Sequence, residues 1–220
     1  MNRKLKNDLK DFLETYMTFT IDEDKSNDNE LVVIGTINVV DNNSQLWGDY
    51  DIKIVVPKRG YPNIIPRVYE VSSKIERLND YHISDKGECC LDIFHKLILE
   101  KRRGISLVDF YIKYIYPFFA NHQYKLKTDE YANGEYDHFN KGIIQFYNDE
   151  FQLKEPKIII KLLELAIGLK KTEANTTCPV CGNPKYKKCC RPIVFKLILF
   201  GKEQLQYDLS MFNELTISSN

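Results

Sequence analysis

A run of apolar, β-branched residues bounded by polar turns constrains the fold of this chain more than any other feature. Residues 31–40 read Leu-Val-Val-Ile-Gly-Thr-Ile-Asn-Val-Val, and the polar residues 41–44 that follow are typical of a turn. Residues 47–56 then alternate apolar and polar side chains, which is typical of a strand with one buried face. Shorter strand-like segments lie on either side, at 19–22 and 67–73. The pattern predicts an antiparallel meander of four strands.

Helical patterns lie on both sides of these strands. Apolar residues at three- and four-residue steps predict helices at residues 2–17, 105–127, 137–151 and 157–170. Pro117 is expected to kink or split the second of these, because proline has no N–H to donate within a helix. The order of elements predicts an α+β fold with an N-terminal helix, a four-strand antiparallel meander and C-terminal helices.

The composition favours a protein of the cytoplasm. Thirty-one basic residues balance 31 acidic ones over 220 residues, so no net charge attracts nucleic acid or an anionic membrane. The first residues are polar and charged, unlike those of a signal peptide, and no apolar run is long enough to span a bilayer. We therefore expect a cytoplasmic protein that acts away from membranes and has no general affinity for nucleic acid.

The six cysteines fall into one adjacent pair and one cluster of four. The pair, Cys89 and Cys90, lies in residues 74–104, a stretch of little periodicity. Long irregular stretches of this kind are more often functional than idle. The cluster contains Cys178, Cys181, Cys189 and Cys190. Without a secretory signal, this grouping favours a reactive thiol and a metal site over a disulfide framework.

Cys90 is the candidate nucleophile. A reactive cysteine must be accessible and partly ionised, and Gly87 can admit a turn that brings backbone amides close to the thiol. His82 could brace the loop or take part in proton transfer. If the segment is extended, Cys90 faces a groove and Cys89 points into the core. A turn would instead expose both thiols. Cys89 could then assist Cys90, share a thioester with it, or form a disulfide with it.

The residues around this pair resemble the active-site region of ubiquitin-conjugating enzymes. The resemblance rests on Tyr61-Pro62, Pro66, His82 and Gly87-Glu88-Cys89-Cys90-Leu91-Asp92-Ile93. In that family a His-Pro-Asn triplet precedes a Gly-x-x-Cys-Leu segment, whose cysteine carries the modifier as a thioester. The resemblance implies a catalytic domain at residues 1–152 with Cys90 as the thioester cysteine. His82, Ile83 and Ser84 then occupy the triplet, and Ser84 would supply a hydroxyl in place of the asparagine amide.

The doubled cysteine resembles a bacterial branch of this fold that is encoded in cyclic-oligonucleotide antiphage (CBASS) operons. Residues 131–138, Tyr-Ala-Asn-Gly-Glu-Tyr-Asp-His, also resemble that branch. The resemblance implies that the partner is a protein modifier or a cyclic-nucleotide synthase with a reactive C-terminus, which an activating enzyme would supply for transfer to a target. Two rival interpretations stay open. One is a non-catalytic protein-binding module on the same fold, favoured by the missing Pro-Asn pair, and the other is a redox switch at the two cysteines.

The four-cysteine cluster has the spacing of a zinc site. Cys178-Pro-Val-Cys181 places two thiolates on one face of an ion, and Cys189-Cys190 follows after a short turn. The stretch resembles the SEC-C zinc motif, which ends in a Tyr-Lys-Lys-Cys-Cys string but usually opens with Cys-x-Cys. Four thiolates leave no open position, so we expect a structural zinc ion, with disulfides or free thiols as alternatives. Residues 153–220 are accordingly predicted to form a helical extension with a zinc knuckle at 178–190.

Overall fold

The predicted meander is present in the computed structural model, which describes residues 1–130 and 140–218. Its strands are β1 (Phe19–Ile21), β2 (Glu30–Val40), β3 (Leu46–Pro57) and β4 (Arg67–Glu70). They pair antiparallel in sequence order. Val33 lies opposite Ile54, and Ile37 lies opposite Tyr50. All four side chains are buried, so alternate residues of β2 and β3 face one core, as the sequence pattern predicted.

Helices complete the first compact unit, Met1–Glu135. They are α1 (Arg3–Thr15), α2 (Phe94–Arg103), α3 (Leu107–Phe110) and α4 (Tyr116–Thr128). The Asn2 side chain caps α1 by accepting a hydrogen bond from the Leu5 N–H at 2.8 Å. Phe12 of α1 packs against the rings of Phe19 and Tyr111, with centroid distances of 5.2 and 5.7 Å. These aromatic contacts join α1 to the sheet.

The long aromatic helix predicted at 105–127 is split. Helices α3 and α4 are joined by a π-helical turn, Tyr111–Ile115, directly before Pro117 in the first turn of α4. The wider turn accommodates the hydrogen bond that proline cannot donate. Helix α2 lies in the stretch predicted to be irregular. It was missed because its apolar face is short and includes the buried His95.

The second compact unit, Tyr136–Asn220, is helical. It contains α5 (Asn140–Phe151), α6 (Pro156–Ala166), α7 (Arg191–Ile198) and α8 (Lys202–Ser218). Phe146 of α5 packs edge-on against Phe200, and Tyr147 packs edge-on against Phe212. Because these rings belong to the core of the second unit, α5 belongs there too. The structure therefore places the division of the chain at residue 135 instead of the predicted 152.

A buried hydrogen bond holds α5 to α8. The Tyr147 hydroxyl donates to Asp208 Oδ2 at 2.7 Å, and both side chains are fully buried. Burial, together with the adjacent carboxylate, raises the pKa of Tyr147, so the phenol stays protonated as a donor. The Gln204 amide donates to the other carboxylate oxygen at 2.8 Å.

Tyr147→Phe is expected to destabilise the second unit, because it removes the hydrogen bond that the Tyr147 hydroxyl donates to the buried Asp208 carboxylate. Loss of a hydrogen bond to a charged group costs about 1.5–3 kcal/mol, and urea unfolding would measure that loss. Tyr207→Phe is the matched control, because Tyr207 is an exposed tyrosine of the same helix as Asp208. Its effect should stay within about 0.5 kcal/mol. Equal losses in the two variants would contradict this account of the Tyr147 bond.

Candidate active site and metal centre

Cys90 lies at the base of a short hairpin, residues 82–90, which we call the Cys90 hairpin. The Cys90 N–H donates to the His82 carbonyl at 2.8 Å, and the Ser84 N–H donates to the Glu88 carbonyl at 2.9 Å. These bonds run between two antiparallel arms joined by a tight turn. The backbone that leads to the thiol is therefore fixed by hydrogen bonds.

The Cys90 hairpin continues the sheet beyond β4. The Cys89 N–H donates to the Val68 carbonyl at 2.8 Å, and the Glu70 N–H donates to the Gly87 carbonyl at 2.9 Å. A stretch that the sequence predicted to be irregular is thus attached to the edge of a strand. This attachment decides the direction in which each cysteine side chain points.

The two adjacent cysteines face opposite sides of the chain. Cys90 is exposed, whereas Cys89 is 8 % exposed and belongs to the core with Ile83. Burial raises the pKa of Cys89 to about 12, so that thiol stays protonated. The extended alternative is the one that the structure adopts. In this conformation Cys89 is poorly placed to share or assist an acyl bond, because solvent barely reaches the residue.

The surroundings of Cys90 favour its protonated form. Although the side chain reaches solvent, neighbouring protein atoms displace part of its water and raise its pKa above the usual range. The negative charges of Asp92 and Glu88 act in the same direction. Partial burial raises the pKa of Asp92, against the effect of Lys96, whose Nζ lies 3.8 Å from Asp92 Oδ2. The site therefore pairs a protonated thiol with a carboxylate of raised proton affinity.

His82 and Ser84 both shape the hairpin. His82 adopts a left-handed backbone, with φ of 51°, where it ends the 3₁₀ turn Asn79–Tyr81, and its carbonyl receives the Cys90 N–H. Ser84 is exposed, and its Oγ accepts a hydrogen bond from the Glu88 N–H at 3.0 Å. Accepting this bond uses only a lone pair, so the Ser84 hydroxyl can still donate to an oxyanion.

The loop that contains Tyr61 and Pro62 is bonded to α1 with its N-cap and to the segment between α2 and α3. The Tyr61 hydroxyl donates to the buried Asp8 carboxylate of α1. The Asn2 amide donates to the Tyr61 carbonyl at 2.9 Å, and the Ile105 N–H donates to the Pro62 carbonyl at 2.7 Å. These contacts give the loop a structural part in the site.

A buried ion pair beneath the hairpin was not found from the sequence. Arg77 Nη1 lies 2.6 Å from Glu70 Oε2, and the Glu70 side chain is fully buried. The two residues are seven positions apart, and Arg77 lies outside any helix or strand. No periodic pattern marks such a pair, because β4 has a charged residue at each end, Arg67 and Glu70.

The four clustered cysteines could hold a metal ion. Their sulfur atoms all lie within 4.8 Å of one another, and no disulfide joins them. A tetrahedral zinc ion with Zn–S bonds of about 2.3 Å needs sulfurs about 3.8 Å apart, so small side-chain adjustments would close the site around it. Two of the ligands, Cys178 and Cys190, are buried, whereas Cys181 is exposed. The disulfide alternative of the sequence analysis is not adopted.

Backbone amides prepare one of these thiols for a metal. Burial opposes ionisation of Cys178, yet the backbone N–H groups of Cys181 and Val180, together with the thiols of Cys189 and Cys181, more than offset it and lower its pKa to about 7. The Gly182 N–H donates to the Cys178 carbonyl at 3.0 Å, which closes the turn. The 3₁₀ turn Tyr186–Lys188, directly before the second cysteine pair, contacts α7. The knuckle is therefore built against a helix of the second unit.

Comparison of the chain with protein-family models, with curated proteins and with solved structures gave no match. Residues 131–138, which carry part of the CBASS resemblance, lie outside the described residues. Among the helices that the structure describes, none combines the length and hydropathy of a membrane span.

Proposed function

We propose that this protein is a thioester-forming conjugating enzyme with a ubiquitin-conjugating-like domain, and that Cys90 carries the acyl group. One observation supports this most. Of two adjacent cysteines, the sheet buries Cys89 and presents Cys90 to solvent on a hairpin fixed by backbone hydrogen bonds. The order of helix, meander and cysteine-bearing segment also agrees with the family that the sequence resembles.

The proposed reaction has two acyl-transfer steps. In the first, Cys90 Sγ attacks the carbonyl carbon of a thioester on an activating enzyme. A new C–S bond forms to Cys90 and the old C–S bond breaks. Cys90 loses its thiol proton, and the departing thiolate takes up a proton. In the second, an amine of the target attacks, a C–N bond forms, and the sulfur leaves. Asp92 suits the role of accepting the amine's proton, because partial burial raises its proton affinity.

The partners follow from the resemblance. We infer that the acyl donor is a protein with a reactive C-terminus, namely the cyclic-nucleotide synthase of a CBASS operon, and that the reaction serves antiphage defence in the cytoplasm. The second unit would hold a structural Zn²⁺ through Cys178, Cys181, Cys189 and Cys190. Four thiolates fill a tetrahedral ion, so this zinc would take no part in the acyl transfer.

A second candidate function is a non-catalytic protein-binding module. The specific observation in its favour is the raised pKa of Cys90, since a nucleophilic cysteine usually has a lowered one. Ser84 in place of the family's asparagine points the same way. In that case the Cys90 hairpin would bind a partner without forming a bond.

The two functions differ in whether a covalent adduct forms. Wild type, Cys90→Ala and Cys89→Ala would each be incubated with the synthase, its activating enzyme and ATP, and run on non-reducing gels. We expect a band of the summed mass in wild type and Cys89→Ala that thiols abolish, and none in Cys90→Ala. Cys90→Ser should give a band that survives thiol treatment, because an oxygen ester resists thiol exchange.

Other outcomes would decide against this assignment. A band that persists in Cys90→Ala would move the nucleophile to another residue. No band in any lane, with the activating enzyme shown to be charged, would favour the binding module.

A further inference from the structure

We propose that Arg77 is a positioning residue for Cys90, and that it acts through the buried carboxylate of Glu70. The inference deepens the proposed function, and its catalytic consequence rests on that function. The contacts that carry it belong to the described structure of the first unit.

Arg77 contacts the last residue of β4, Glu70, and so closes residues 70–77 into a loop. Its Nη1 lies 2.6 Å from Glu70 Oε2 and donates to the Ile75 carbonyl at 3.2 Å, and its Nη2 donates to the Glu70 carbonyl at 3.0 Å. The other carboxylate oxygen accepts hydrogen bonds from the Ser72 hydroxyl and, at 3.1 Å, from the Lys74 N–H. One guanidinium therefore lies against the Glu70 carboxylate and also donates to the Glu70 backbone carbonyl.

The Cys90 hairpin rests directly on this pair. The Glu70 N–H donates to the Gly87 carbonyl at 2.9 Å. A Cβ atom at Gly87 would lie 2.4 Å from the Glu70 carbonyl oxygen and 3.1 Å from Arg77 Nη2. The hairpin turn thus packs against the ion pair with no room for a methyl group. Cys89, two residues on, is close enough for its pKa to respond to both charges.

Removal of Arg77 would leave a carboxylate buried without its cation. A buried ion that loses its partner is strongly unfavourable, and local opening of the protein relieves it. Opening here would break the bonds from the hairpin to Glu70 and Val68. Cys90 would then lose its fixed position, and Cys89 would become accessible. In the closed state solvent barely reaches Cys89, so its labelling reports opening.

The test is cysteine alkylation of the full-length protein. Wild type, Arg77→Met, Glu70→Gln and the double variant would be treated with iodoacetamide under native conditions, with each cysteine followed by peptide mass mapping. We expect Cys89 labelling to rise at least about tenfold in Arg77→Met and to fall back in the double variant, where no buried charge remains. The control is Arg67→Met, which removes an exposed ion pair of β4, the 2.6 Å contact to Glu30, and should leave Cys89 protected.

A second measurement separates positioning from a loss of overall stability. The pH profile of Cys90 alkylation should shift to lower pH in Arg77→Met, because a detached hairpin rehydrates the thiol and so removes the largest cause of its raised pKa. Arg67→Met should leave that profile unchanged. If Arg77→Met fails to fold, Arg77→Lys keeps the charge but loses the forked contacts, and its Cys89 labelling should be intermediate.

Protected Cys89 and an unchanged Cys90 profile in Arg77→Met would overturn the inference, as would equal labelling in Arg67→Met. Alkylation needs no acyl donor, so this result is independent of the enzymatic assignment. If Arg77→Met changes the labelling but wild type forms no thioester with its donor, the proposed enzyme fails and the role of Arg77 on the hairpin stands.

Discussion

Removal of zinc from the four-cysteine site is expected to unfold residues 174–190, which include the zinc knuckle at 178–190, and to release them from α7. Its regular structure is limited to the 3₁₀ turn Tyr186–Lys188, supplemented by isolated backbone hydrogen bonds such as that from the Tyr186 N–H to the Thr176 carbonyl at 2.9 Å, so we expect the ion to supply most of its stability. Structural zinc binds such sites with an apparent free energy of about 10–16 kcal/mol, and that free energy is also the free energy of folding the site. It equals or exceeds the stability of a typical domain, so the expected effect is the largest for any change in the second unit.

Cys178→Ser and Cys90→Ser form a matched pair for this test. Each removes one thiol by the same atomic exchange, but only Cys178 belongs to the cluster of four. We expect one zinc per chain in wild type and in Cys90→Ser, and a loss of zinc in Cys178→Ser by elemental analysis. Hydrogen exchange of residues 174–190 should become fast in Cys178→Ser and in chelator-treated wild type. Slow exchange in metal-free protein would mean that the segment folds without an ion.

The sheet could be predicted because its signal is local. Alternation of apolar and polar residues over 47–56 specifies both a strand and its buried face, and β3 occupies nearly those residues. Helix α5 was also predicted, but its place in the second unit was not. The spacing of its aromatic residues shows that one face is buried. It does not show which of the two cores buries that face. Contacts such as Phe146 with Phe200 join residues far apart in sequence.

The candidate active site could likewise be predicted only in part. The motif identified Cys90, but the sequence left open whether Cys89 also faces solvent. That choice depends on hydrogen bonds from the hairpin to β4, such as that of Cys89 with Val68, 21 positions earlier. The Glu70–Arg77 pair was missed because it also depends on the folded structure, which brings Arg77 against Glu70 and the turn at Gly87. The four-cysteine cluster was predicted in full because metal ligands come as closely spaced pairs.

Gly87→Ala is expected to destabilise the Cys90 hairpin by about 2–6 kcal/mol, through two effects that add. The backbone of Gly87 has a φ of +80°, a conformation that L side chains rarely adopt, and this strain costs about 1–3 kcal/mol. The new methyl group would also lie 2.4 Å from the Glu70 carbonyl oxygen, a backbone atom of β4 that accepts a hydrogen bond from Arg77. Forcing an atom into a packed site costs about a further 1–3 kcal/mol.

Gly60→Ala separates these two effects, because Gly60 has nearly the same φ, +83°, but its nearest neighbours are side-chain atoms of Ile64 at 3.9 Å. Gly60→Ala should therefore cost only the backbone strain, about 1–3 kcal/mol. Urea unfolding of the two variants measures the difference, and Cys89 alkylation shows where it acts. We expect Cys89 to be labelled in Gly87→Ala at denaturant concentrations that leave it protected in Gly60→Ala. Equal stabilities, with Cys89 protected in both, would show that the turn can move away from Glu70 without detaching the hairpin, and that close packing at Gly87 does not hold Cys90 in place.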